Sequence, residues 1–186
     1  LCNCTGLLSG LIAKLLGQSG GEQMSATLIW QNYFTVASTA FETGNLPTAR
    51  HMFEAAMQDA GSFGLSHEEA AACHGLALVL VKTGHNEEAK RLLRRAVRLY
   101  SLFTPIEPRG MAATACVLAD LYSMDGADDK ALPLLKVAKR AIASQCGELC
   151  PELKPLLNRL AMIYARHAQA QKARHLLQQS RQILSA

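Results

Sequence analysis

Six cysteines and six histidines are the side chains best equipped for chemistry in this chain of 186 residues. Thiolates and imidazoles bind metals, attack carbon or exchange electrons, and their spacing decides which. Cys2 and Cys4 flank one residue, while Cys146 and Cys150 frame Gly147, Glu148 and Leu149. Neither pair has the two-residue spacing of zinc ribbons and knuckles, so no metal site is expected. A Cys146–Cys150 bridge is sterically open, but it belongs to oxidising compartments, and the thiols are read as reduced. Cys73 and Cys116 fall inside apolar stripes and read as small buried hydrophobes. His51, His67, His74, His85, His167 and His175 are scattered, mostly near turns or polar positions. No nucleophile, base and orienting acid come together by spacing, and no glycine-rich phosphate loop follows a strand. A non-catalytic protein without a cofactor is the expectation.

The elements that position these residues are helical by composition. Hydrophobic residues make up 49% of the chain but aromatic ones only 5%, so Leu, Ala, Val and Ile must build the core. A formal charge of +4 is mild, and no basic stripe is interleaved with aromatics, so a nucleic-acid partner is not expected. Lys90, Arg91, Arg94, Arg95 and Arg98 crowd one stretch; with Glu87 and Glu88 one turn earlier, they read as a solvated face. No run approaches the roughly 18 apolar residues that span a bilayer. The first residue is not Met and no basic region precedes the first apolar segment, so a secretory signal is not expected. Together these features predict a cytoplasmic protein away from membranes.

The stretch from His67 to Tyr100 reads as two helices around a turn at Gly84, with Asn86 placed to cap the second. Cys73, Leu76, Ala77 and Leu80 line one helix, and Ala89, Leu92, Leu93 and Ala96 the other, at three-and-four spacing. The same layout recurs. Gly44, Gly84, Gly126 and Ala168 mark the turns, and Ala49, Ala89, Ala131 and Ala173 follow five places on, every 40 to 42 residues. Four pairs are expected, at about 26–61, 67–100, 108–146 and 151–186. A pair with apolar stripes on both members buries them only by stacking on its neighbours. Residues 1–23 stand outside the repeat, with an apolar stripe from Leu7 to Leu16 and a flexible joint at residues 17–21.

These columns resemble the tetratricopeptide repeat. They read Ala37, Ala77, Ala119 and Ala161; Ala40, Leu80, Tyr122 and Tyr164; Phe53, Leu93, Leu135 and Leu177; and Ala56, Ala96, Ala138 and Ser180. The usual repeat has 34 residues, and the extra eight or so are expected in the connections between pairs. The longer form looks like that of kinesin light chains and their bacterial relatives. The supporting strings begin at Ala131, with Pro133 two residues on, and at Leu156, with Asn158 in place and Arg159 for a second Asn. The resemblance covers residues 25–186 and implies an all-α, right-handed superhelix of four helix-turn-helix repeats.

In such a solenoid the first helix of each pair lines a concave surface. Setting aside the packing columns leaves Gln31, Phe34, Ser38 and Phe41; His74, Leu78 and Val81; Cys116, Asp120 and Ser123; and Asn158, Arg159 and Met162. This partly apolar set predicts a groove for an amphipathic helix or an apolar peptide of a protein partner. A self-assembly or regulatory module is the alternative, in which residues 7–16 occupy the groove in cis or in a homo-oligomer. Eight extended residue steps from Gly17 to Ser25 span roughly 26 Å, enough for that return.

Overall fold

The computed structural model of the chain describes residues 19–102 and 108–183. They form eight helices: α1 (Ser19–Glu42), α2 (Leu46–Ser62), α3 (Ser66–Lys82), α4 (Asn86–Ser101), α5 (Pro108–Met124), α6 (Asp128–Cys146), α7 (Leu153–Arg166) and α8 (Ala170–Gln182). No strand occurs among the described residues. Each helix packs on its neighbours in sequence, so α1/α2, α3/α4, α5/α6 and α7/α8 stack in order into an all-α superhelix of helix pairs.

One turn chemistry closes these helices. The backbone amides of Asn45, Leu65, His85, Ala127 and Gln169 donate to the carbonyls of Ala40, Ala60, Leu80, Tyr122 and Tyr164 at 2.8–2.9 Å. Before each amide stands a residue with positive φ: Gly44, Gly64, Gly84, Gly126 and Ala168. This six-to-one closure satisfies carbonyls that the helix leaves open, and it needs the left-handed conformation glycine adopts without strain. Ala168 takes φ 57° in the same column, so the fourth turn keeps the shape without the glycine.

The small-residue columns are where helices touch. Ala49, Ala89, Ala131 and the first-helix column Ala37, Ala77, Ala119 and Ala161 are buried, with Ala173 close behind. Gly75 of α3 lies so near the Phe53 ring of α2 that a Cβ there would stand 2.3 Å from it. Tyr100 of α4 covers Gly110 of α5 in the same fashion.

Four local expectations are corrected. First, α1 begins at Ser19, so Ser19, Gly20 and Gly21 are helical rather than a flexible joint. Residues 1–18, including Leu7–Leu16, lie outside the described residues. Second, Asn86 does not cap α4: it is the first helical residue, and His85 before it makes no side-chain cap. Among the described residues such a cap is seen in α2, where the Asn45 side chain accepts from the Thr48 amide at 3.3 Å. Third, the surplus over a 34-residue repeat lies largely in helix length. Only three residues join α2 to α3, whereas α2, α3 and α6 have 17, 17 and 19 residues. Apolar contacts near their ends, such as Ala60 and Ile142, are buried and reward the added turns. Fourth, Cys146 and Cys150 form a disulfide, with Cα atoms 5.6 Å apart. Gly147, at φ 84°, turns the chain out of α6 so that the two sulfurs converge.

Candidate functional site on the first-helix face

Direct contacts between pairs distinguish the two sides of the stack. The first helices α1 and α3 touch, as do α5 and α7, whereas no two second helices make comparable contact among the described residues. The first helices therefore draw together on the inner side of the curve, and the junctions between them carry three side-chain clasps.

Between α1 and α3 the Lys82 ammonium sits 4.2 Å from the centroid of the Phe41 ring. Between α3 and α5, His74 Nδ1 lies 3.0 Å from Thr114 Oγ1. Between α5 and α7 the Arg159 guanidinium donates through Nε and a terminal nitrogen to both oxygens of Asp120, at 2.8 and 2.6 Å. A bidentate fork of this kind fixes angle as well as distance. Asp120 is exposed and so accessible to a ligand.

Burial divides the rest of the expected set. Gln31 is exposed, and Met162 keeps 61% of its surface in water. Leu78 and Val81 are half-buried. Phe34 is less available than expected, because its ring stacks on Trp30 at 4.8 Å and meets the edge of Phe53 at 5.5 Å. Ser38 donates to the Phe34 carbonyl, and Ser123 to the Asp128 carboxylate. Asn158 accepts from Ser180 at 2.8 Å. That bond accounts for Ser180 in a column that is otherwise Ala: the buried hydroxyl has a partner on the facing helix.

Cys116 is buried, and its burial pushes the thiol pKa up. It forms one wall of a cleft of about 200 Å³ between α5 and α7, with Ala112, Ala113, Pro155 and Leu156, and Ile142 beneath. The Arg109–Glu152 ion pair, at 2.9 Å, stands at the rim. This cleft has room for an apolar side chain and is small for a drug-sized ligand. Its walls Ala113 and Pro155 were invisible to the sequence reading because each is unremarkable alone; only the stacking of α5 on α7 opposes them.

A second polar cluster lies where the same two pairs turn. Arg166 donates to both oxygens of Asp128 at 2.9 and 2.6 Å, and His167 Nε2 is 3.2 Å from the same carboxylate. The Arg166 hydrogen bonds, ahead of that from Ser123, hold the Asp128 pKa below the ordinary carboxylate range. On α4 the basic cluster is not one solvated face. Lys90 is buried and bonds Asp125 and Glu87, and Arg95 pairs with Glu69, which leaves Arg91, Arg94 and Arg98 exposed.

The arrangement offers little to catalysis. The Thr114–His74 pair resembles a nucleophile and base, but Thr114 is fully buried and donates to the Gly110 carbonyl at 2.8 Å. Burial pushes the Cys73 thiol up to about 11. Three potential metal ligands meet at Cys146, Cys150 and Glu152, yet the two sulfurs are bonded to each other. No described helix is long and apolar enough to cross a membrane.

A family model described as tetratricopeptide repeat matches residues 27–101. No curated protein matches the sequence. Among solved structures, BtubC (BKLC) from P. vanneervenii is similar with a TM-score of 0.73 and 18% identity over 86% of this chain and 65% of that one. The chain thus spans just under two thirds of that relative's length. The nearly identical TPR-like repeats of a Podosopora anserina kinesin light chain superpose with a TM-score of 0.65 and 22% identity, over 95% of this chain and 82% of that one. MamA gives 0.60 and 14%, over 93% and 92%. The family model thus covers the first two helix pairs, and the fold of all four pairs is the tetratricopeptide-repeat superhelix seen in these kinesin light chain-like structures.

Proposed function

We propose that the first-helix face binds a peptide segment of a partner protein and performs no chemistry on it. The apolar cleft beside Cys116 carries this reading. It is large enough for one Leu-, Met- or Phe-sized side chain, and ion pairs bound it on two sides, Arg109–Glu152 at the rim and Asp120–Arg159 one turn along α5. A peptide laid across α5 and α7 would bury an apolar anchor in the cleft, rest on exposed Met162, and align its polar groups with the Asp120–Arg159 fork. Gln31, Phe41, Leu78 and Val81 extend the same face toward α1. The occupant is an amphipathic helix or an apolar segment.

The extended reach counted for residues 7–16 to occupy this face in cis is shortened. With α1 helical from Ser19, most of the Gly17–Ser25 span rises about 1.5 Å per residue instead of extending, so no 26 Å leash is available.

Peptides selected from a displayed random library on the intact chain test the proposal. Ala113 is exposed at the cleft wall. Ala113→Trp is expected to fill the cleft and lower affinity at least tenfold while the helical circular dichroism is retained. Unchanged affinity would remove the cleft from recognition.

A further inference from the structure

The Cys146–Cys150 disulfide sits in surroundings that suit thiols as well. Cys146 Sγ lies 3.3 Å from the Ile142 carbonyl oxygen, and Cys150 Sγ lies 2.6 Å from Glu152 Oε2. A bonded sulfur has no hydrogen to share with either oxygen, whereas a thiol is a weak donor to both. Reduction is open to the pair, because Cys146 is exposed at the end of α6 while Cys150 is buried. A dithiol reductant supplies the two electrons. Its thiolate attacks Cys146 Sγ, and Cys150 leaves as a thiolate that takes a proton from solvent; the second reductant sulfur then closes the reductant's own disulfide and frees Cys146.

Once parted, the sulfurs belong to a set of three ligands. One ligand atom each from Cys146, Cys150 and Glu152 lies within 4.8 Å of the others. Two thiolates on a tetrahedral zinc stand roughly 3.8 Å apart, an opening that rotation of the two side chains supplies. The third ligand is already aimed. Glu152 Oε1 accepts from Arg109 at 2.9 Å, which leaves Oε2 turned to the sulfurs. A carboxylate fixed from behind in this way is what a metal-ligating oxygen needs. Charge fits too: two thiolates and a carboxylate are offset by a divalent cation together with Arg109. Sulfur ligands select zinc over calcium or magnesium. The gap between the cysteines fails the ribbon pattern, and the Glu152 carboxylate supplies what that spacing lacks.

We infer that Cys146 and Cys150, when reduced, bind one Zn²⁺ together with Glu152, water completing the tetrahedron, and that oxidation to the disulfide abolishes the site. The zinc takes Oε2 and leaves Oε1 to Arg109 at the rim of the peptide cleft. This site and the cleft therefore stand or fall separately.

The probe is Co²⁺, a spectroscopic stand-in for Zn²⁺, titrated into the phosphine-reduced full chain carrying Cys2→Ser and Cys4→Ser, so that no other thiol pair competes. A sulfur-to-metal charge-transfer band is expected to saturate at one Co²⁺ per chain and to vanish when one equivalent of Zn²⁺ is added. The same protein in its disulfide form should show no band. Glu152→Gln should keep the band and weaken Co²⁺ binding at least tenfold, with the helical circular dichroism retained. No saturable band in the reduced protein, an equal band after Cys146→Ser with Cys150→Ser, or affinity indifferent to Glu152→Gln would each overturn the inference.

Discussion

At the scale of single residues, the positions that most constrain this protein are those whose backbone or protonation state the fold dictates. Ala168 holds φ 57°, where a Cβ crowds the carbonyl at a cost of roughly 1–2 kcal/mol, and a glycine would recover part of that after its larger unfolded-state entropy. Ala168→Gly is therefore expected to stabilise the chain by about 1 kcal/mol, read from the urea midpoint at constant slope. His74 is held neutral, its pKa pushed down by burial at the α3–α5 junction. A histidine whose folded pKa is below its unfolded value costs nothing above about pH 6.5, and stability falls as the unfolded chain takes up the proton first. The wild-type protein should lose stability between pH 6.5 and 5 more steeply than His74→Gln; equal slopes would show that His74 is not the source. The clasp residues were only half legible in the sequence. His74, Asp120 and Arg159 stood out as polar residues on first helices, but Lys82 with Phe41 and Thr114 with His74 join unlike types from different pairs. No local spacing predicts such a contact.

At the scale of elements, the repeat columns were readable because close helix crossings tolerate only certain volumes, and a volume requirement leaves its trace in residue type. Gly75 is the sharpest instance. A methyl group there would stand 2.3 Å from the Phe53 ring, well inside contact distance, and the ring lies in a packed core with little room to retreat. Gly75→Ala should cost about 1–3 kcal/mol despite its gain in helix propensity, and Phe53→Leu in the same chain should recover part of the loss; both are measurable by urea unfolding. The loop from α6 to α7 was less legible. Its disulfide depends on Gly147 entering the left-handed region, a backbone choice that the spacing of Cys146 and Cys150 does not reveal. The expectation that the surplus residues lie in the connections fails for a related reason. Extra turns in α2 and α6 are rewarded by burial against the next pair, and a single-helix pattern does not show that neighbour.

At the scale of the whole molecule, stacking explains both what is stable and what is left to bind. Each pair buries its stripe on the next, so apolar surface remains where stacking leaves a gap, as in the cleft between α5 and α7. The stacked architecture was legible from the period alone, because only a stack of pairs satisfies it. The cleft was not, since its walls come from residues about 40 apart whose meeting depends on how pairs three and four pack. The central claim, that partners are recognised on the first-helix face, is tested most directly by amide NMR of the ¹⁵N-labelled protein titrated with a library-selected peptide. Shifts concentrated on α5 and α7 around Ala113, Asp120, Arg159 and Met162, and absent from the exposed Arg91, Arg94 and Arg98 side of α4, are the expected result. Shifts confined to the second helices, with the α5–α7 cleft unmoved, would contradict it.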